Sequence, residues 1–344
     1  MKVSNVASIV NQKIDGCLLD KHTYISTECM LPNCGGIEDS SSIPNGKATR
    51  FCVDDILLSN IRPYFKKVWF ANFEGGCSND VICLRATSLK CSSKYLYYAI
   101  CTDKFIDTFS ASSKGTKMPR GDKNALLSYE IPDRSIDEQL YIVDILGSID
   151  SSVENKELQV SKITELAVNF IALGNNLDTE LKPFIKFIKG KKPQETGTTK
   201  AAYLSIDAIT SFQYENVYSD GTVTCSQFDV LMVMDGASSG TVFSHQSGIV
   251  SSTLAKIECR KEINDYLYWF LLSLKDTIKT RNTGSAIPHA NKDYISSLTF
   301  DYNFATNASN ATFLHSLRSK IVSMQEEIVK LRELKALYLK KFFG

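Results

Sequence analysis

The residues richest in chemistry lie in one Gly- and Pro-punctuated segment, Ser112-Ser113-Lys114-Gly115-Thr116-Lys117-Met118-Pro119-Arg120-Gly121-Asp122-Lys123. Four cations and three hydroxyls are spread along it. Such a loop can offer donors to phosphates and base edges, while its glycines let the backbone approach a ligand closely. On residue types alone it is equally a solvated surface loop. A counterpart shifts the balance: Arg281-Asn282-Thr283-Gly284-Ser285-Ala286-Ile287-Pro288-His289-Ala290-Asn291-Lys292 keeps the Gly and Pro frame but carries Ala286 and His289 where the first segment has Lys117 and Arg120. One scaffold with divergent side chains is what two readers of different sequences need. The candidate contacts are Lys114, Thr116, Lys117, Arg120 and Lys123 in the first loop, and Thr283, Ser285, His289, Asn291 and Lys292 in the second.

Two other segments are basic. In Asn60-Ile61-Arg62-Pro63-Tyr64-Phe65-Lys66-Lys67-Val68-Trp69 the cations interleave with aromatics, which makes Arg62 and Lys66 candidates; the same pattern fits a strand-turn-strand with exposed cations. Lys186-Phe187-Ile188-Lys189-Gly190-Lys191-Lys192-Pro193 could touch a phosphate backbone through Lys191, or simply be soluble surface.

No catalytic residue and no metal site is expected. Asn45-Gly46-Lys47-Ala48 lacks the leading glycine and the hydroxyl residue of a phosphate loop. There is no glycine-rich cofactor turn, no H-E-x-x-H and no G-x-S-x-G, and His22, His245, His289 and His315 are scattered. Pro132-Asp133 with Glu138-Gln139 has the outline of a nuclease carboxylate pair without its lysine; Glu138 reads as a helix cap, where a carboxylate favours the dipole. The ten cysteines form no C-x-x-C pair and read as reduced, mostly buried small hydrophobes in a chain that stays in the cytoplasm. No apolar run is long enough to span a membrane. A net charge of +1 is low for an independent DNA binder and counts modestly against DNA binding, less so if a partner supplies part of the grip.

The elements that must position these loops repeat. Ile142, Leu146, Ile149, Val153, Lys156, Val160, Ile163, Ala167 and Phe170 alternate spacings of four and three; Leu314, Leu317, Ile321, Met324, Ile328, Leu331, Lys335, Tyr338 and Phe342 alternate three and four. That period predicts two coiled-coil seams, each with one polar member. The seams align with one another, Leu146 on Leu314 and Val160 on Ile328, at an offset that changes slowly upstream. Gly115 to Pro119 falls on Gly284 to Pro288, Asp55-Ile56-Leu57 on Asp229-Val230-Leu231, and Tyr24-Ile25-Ser26 on Tyr203-Leu204-Ser205. The chain is a tandem duplication, each half an α+β globular region followed by a long helix. Strands are expected at 55–59, 81–84, 229–233 and 254–257, and helices at 94–109 and 265–281. Roughly 35 residues at about 1.5 Å rise make each long helix about 50 Å, more than the roughly 34 Å of one DNA turn.

Asp55-Ile56-Leu57-Leu58-Ser59-Asn60-Ile61-Arg62-Pro63-Tyr64, Ser78-Asn79-Asp80-Val81, Lys114-Gly115-Thr116-Lys117-Met118-Pro119-Arg120, and Ile131-Pro132 ahead of Glu138-Gln139 together resemble the target-recognition domain of type I restriction-modification specificity subunits. Asp229-Val230-Leu231, Asp235-Gly236-Ala237-Ser238-Ser239-Gly240, Gly248-Ile249-Val250-Ser251-Ser252 and Thr283 to His289 resemble the other common variant of that domain. The resemblance implies target-recognition domains at 1–135 and 175–309, separated by antiparallel spacer helices at 136–174 and 310–344 with pseudo-two-fold symmetry, and adds Ser238 and Ser239 to the contacts. It implies double-stranded DNA read as a bipartite target, two modification subunits docked on the helices, and restriction subunits as a further partner. S-adenosylmethionine, ATP and Mg would belong to those partners, with no cofactor on this chain. Two features depart from the family pattern: the chain is short, and Asp133-Arg134-Ser135-Ile136-Asp137 is more polar than usual. A coiled-coil interaction protein that binds no DNA, and the recognition part of a fused methyltransferase-nuclease, are the alternatives; Met1 at the start argues against the latter.

Overall fold

The computed structural model describes residues 1–113, 118–244, 246–284 and 287–344. They form two compact units, the first made of 1–152 with 331–344 and the second of 153–330. Each is α+β, as the sequence predicts.

In the first unit an antiparallel sheet runs in the order Ala7–Ile9, Val81–Ala86, Ile56–Ser59, Val68–Phe70. Its central strands are apolar over 81–84 and 56–58 because both of their faces are covered there. Ile56, Leu58, Ile82 and Leu84 face a core built with the helix Ser93–Ile100, while Leu57, Val81 and Cys83 face a second core with Phe51 and Trp69. The second sheet runs Lys13–Asp15, Lys47–Phe51, Gly75–Cys77, Tyr24–Ile25, with the last pair parallel.

The second unit repeats this plan. Ile185–Lys189, Leu254–Cys259, Val230–Val233 and Val242–Phe243 make the first sheet, and Val230 and Met232 face one core while Leu231 and Val233 face another. The parallel pair recurs as Tyr203–Leu204 with Ile249–Val250, so the short Tyr24 and Tyr203 match in the sequence marks equivalent strands. The repeat is not perfect: the edge strand Asn216–Tyr218 joins Lys200–Leu204, whereas Lys13–Asp15 joins Lys47–Phe51.

The aspartates of the repeated Asp-aliphatic motif hold the sheets. Asp55 is 1% exposed, accepts from the Cys52 backbone and takes two bonds from Arg85, at 2.7 and 2.6 Å. Asp229 accepts from the Ser226 backbone and pairs with Lys256 at 2.7 Å. Both expected mid-domain helices are broken. Ser93–Ile100 is followed by Asp103–Ala111, because the Thr102 hydroxyl donates to Ala99 O and accepts from Phe105 N, capping a new helix. Asn264–Ser273 is likewise followed by Lys275–Thr280.

The long helices span Ile136–Ile171 and Ala308–Phe343, 36 residues each. Ser135 and Glu138 close a reciprocal capping box at the first, with Ser135 N donating to Glu138 at 2.9 Å and Glu138 N to Ser135 Oγ at 3.3 Å. The Ser135 backbone bond holds the Glu138 carboxyl below its ordinary pKa. Within each unit the helices run antiparallel. In the first unit Lys335 meets Asp150 at 2.6 Å and Arg134 donates to Phe342 O; in the second Lys156 pairs with Glu327 and Phe170 packs on Phe313. The polar member of each seam thus meets a carboxylate from the facing helix. Every seam position is buried or half-buried.

Candidate nucleic-acid interface

In each unit two loops dock edge to edge through the same backbone bonds. In the first, Asn60 N donates to Asp80 O (2.8 Å), Gly121 N to Asn60 O (3.0 Å) and Arg62 N to Pro119 O (2.9 Å), with Ile61 bridging Arg120. In the second, Met234 N donates to Thr253 O (2.8 Å), Ala290 N to Met234 O (2.9 Å) and Gly236 N to Pro288 O (2.9 Å), with Asp235 bridging His289. The prolines shared by the two segments, Pro119 and Pro288, thus accept equivalent backbone bonds, while Gly115 lies outside the described residues. Gly121 is required sterically, since a Cβ there would lie 2.1 Å from the Phe109 ring.

The side chains on this common frame differ. Arg120, 57% exposed, is held by Asp80 at 2.8 Å. His289, 51% exposed, has its Nδ1 2.8 Å from Asp235, which also takes Lys189 at 2.8 Å. Burial raises the Asp235 carboxyl, but the bonds from Lys189 and His289 outweigh it and leave its pKa below the ordinary value. Arg62, Tyr64, Phe65 and Met118 are exposed on the two loops of the first unit, and Ser238, Thr283 and Ile287 on those of the second.

The other expected contacts divide. Lys123 and Lys292 are exposed at the first position of the short helices Lys123–Ser128 and Lys292–Ser297, and Lys191 is exposed beyond the strand Ile185–Lys189. Lys66 is tied to Asp103 at 2.6 Å. Two candidates are engaged within the fold. Ser239 is fully buried and its hydroxyl donates to Gly236 O and Pro288 O, so it locks the loop from inside. Asn291 accepts from Tyr294 N and caps the helix that follows. Lys114, Thr116, Lys117 and Ser285 lie outside the described residues. Sequence reasoning missed Asp80, Asp235 and Lys189, the groups that fix the two exposed heads. Asp80 and Asp235 stand in the motifs that carry the resemblance and Lys189 in a basic segment, but nothing in the sequence pairs them with Arg120 and His289.

The fold and the paired loops define a class: a tandem α+β chain with two long helices and one matching loop pair on each globular part. The resemblance read in the sequence is to type I restriction-modification specificity subunits, and comparison with known proteins agrees. No family model matches the chain. The type I restriction enzyme MjaVIII specificity subunit of Methanocaldococcus jannaschii is 36% identical over 119 residues, 32% of this chain and 28% of that protein. The EcoDI specificity subunit of Escherichia coli is 29% identical over 127 residues, 37% of this chain and 26% of that protein. These alignments span less than a third of either relative's length. A type I restriction-modification S subunit from M. genitalium aligns over 100% of this chain and 95% of its own, with a TM-score of 0.59 at 17% identity, which shows the fold.

Proposed function

We propose that this chain is the DNA-sequence-reading subunit of a type I restriction-modification complex, with no catalytic residue of its own. The observation that carries the reading is the duplicated loop pair: identical backbone bonds present Arg120 held by Asp80 in one unit and His289 held by Asp235 in the other. A fixed frame with variable, charge-anchored heads suits two half-sites of different sequence. Regions 1–135 and 175–309 would be the target-recognition domains, and 136–174 and 310–344 the spacer that sets the unread gap.

Two methyltransferase subunits would seat on the helices, whose outer faces leave Leu140, Tyr141, Leu158, Leu166 and Leu337 half or more exposed. S-adenosylmethionine would bind on those subunits, and ATP and Mg on restriction subunits where these join. No helix among the described residues is long and apolar enough to cross a membrane, in keeping with a complex that works on DNA in the cytoplasm.

Exchanging 177–306 for the corresponding region of another such chain tests the reading. Methylation-site sequencing should then show one half-site changed and the other retained. A change in both, or in neither, overturns the assignment.

A further inference from the structure

Resting on the DNA-reading role proposed above, we infer that Arg120 reads a guanine through the major groove in the half-site of the first unit, and that Asp80 is the positioning residue that aims its guanidinium.

The two halves of the duplication differ at the residue that supplies the carboxylate. The backbone frame makes Ile61 equivalent to Asp235 and Asp80 equivalent to Thr253. The carboxylate has therefore moved between elements: in the first unit it stands ahead of the strand Val81–Ala86, in the second on the opposing loop. Yet it grips the side chain at one equivalent place in both, Arg120 at 2.8 Å and His289 at 2.8 Å. An exposed ion pair contributes little stability, so stability does not explain why two different carboxylates hold this one position. The need to hold a polar head still does.

The hold on Arg120 is also short and closed. Asp80 takes the guanidinium on Oδ1 and the Asn60 N–H on its carbonyl, and Asn60 O accepts from Gly121, the neighbour of Arg120. The head and its own backbone are thus anchored on one residue, which reduces the rotamer freedom lost on binding. With one Nη2 contact committed to Asp80, the remaining donors of the planar fork stay available on a side chain that is 57% exposed. Two parallel N–H donors match guanine O6 and N7, and this pairing distinguishes G·C from every other base pair. In the second unit the same place carries an imidazole, so that half-site is read by a different chemistry.

The test is a selection of random duplexes with the full chain, alone and with the methyltransferase subunits it is proposed to seat, followed by titrations on the selected target. Arg120→Ala should weaken target binding about 10- to 100-fold and abolish discrimination at one guanine, while the other half-site is read as before. Replacing that guanine by 7-deazaguanine should weaken the wild type and leave Arg120→Ala unaffected. Asp80→Asn should relax selectivity at the same base pair with an unchanged salt slope, and Arg120→Lys should fail to restore it. An unchanged urea transition followed by Trp69 in a Trp269→Phe background shows that the first unit of each variant is folded.

The inference is overturned if the first half-site holds no guanine, or if Arg120→Ala still discriminates every guanine. It is also overturned by an even loss over all sequences with the salt slope reduced by about 1, the signature of a phosphate contact. In these cases selective binding by the wild type leaves the DNA-reading role standing. If the wild type selects no sequence at all, that role fails and takes the inference with it.

Discussion

Arg62 and Gly236 occupy the same left-handed backbone position, at φ 48° and 101°, and each donates its N–H to the proline carbonyl of the opposing loop. Four residues on, Lys66 and Gly240 again share a positive φ, at 54° and 86°. The second unit meets the demand of the turn with glycine; the first meets it with two cations, at a cost of about 1 kcal/mol each. Arg62→Gly should therefore leave stability unchanged or raise it by up to about 1 kcal/mol, while weakening DNA binding. No atom lies within 4 Å of a Cβ built on Gly236, so Gly236→Ala isolates the backbone term and should cost about 1 kcal/mol. Thermal denaturation checks both. A loss of stability in Arg62→Gly would mean that the arginine holds the loop rather than faces a ligand.

Arg318 is fully buried on the second long helix, where it donates to Asp265 (2.8 Å), Phe228 O (2.6 Å) and Ser244, and lies 4.7 Å from the Tyr268 ring centroid. Burial pulls its pKa below the ordinary arginine value, with Asp265 opposing. Arg318→Met would take the buried cation from the Asp265 carboxylate, leaving it the half-exposed His315 Nδ1 at 3.2 Å, and should cost the second unit about 3 kcal/mol. The two tryptophans make this measurable, since Trp69 reports on the first unit and Trp269 on the second. In a Trp69→Phe background, urea unfolding followed by fluorescence should shift sharply. In a Trp269→Phe background the transition should stay in place.

These residues show what the sequence could and could not disclose. The seams were legible because burial along a helix pair follows a fixed period, and Lys156 and Lys335 stood out as polar breaks within it. Arg318 stood beside Leu317 with no such signal, because what it bonds, Phe228, Ser244 and Asp265, is assembled only by tertiary packing. The equivalence of the loops was legible from their shared Pro119 and Pro288. Asp80 and Asp235 were not, because they do the same work from non-equivalent positions, and alignment of the halves conceals a partner that has changed element. The break at Thr102 was hidden by the continued helical spacing of Phe105, Ile106 and Phe109.

Lys335 supplies a pH prediction. Burial lowers its pKa, but Asp150 and the neighbouring thiols outweigh this and hold the amine above its ordinary value of 10.5. A raised folded-state pKa stabilises fully below the ordinary value, and the contribution disappears as pH climbs through the folded one. The wild type should therefore lose stability relative to Lys335→Met above about pH 10.5, with the difference constant below it. At neutral pH Lys335→Met should cost about 2 kcal/mol, because Asp150 keeps its Tyr98 bond at 2.9 Å but loses its counter-charge. Adding Asp150→Leu should recover part of that loss. Urea titrations of the four proteins, followed by Trp69, decide it; an additive double variant would show that the two side chains act independently.

The gap between half-sites offers the most direct check on the helices. Seven residues inserted after Ser152 and seven after Lys330 keep both seams in phase, because the apolar pattern repeats every seven. The ion pairs Asp150–Lys335 and Lys156–Glu327 then survive, one on each side of the insertion. Each helix grows by about 10 Å, close to three base pairs at about 3.4 Å each. If the pair sets the spacing, methylation-site sequencing should show the same two half-sites with about three more unread bases between them. Seven residues in the first helix alone leave the second without a matching turn, so one ion pair must break, and folding or assembly should suffer before the gap lengthens. An unchanged gap in a stable double insertion would mean that something other than these helices measures the distance.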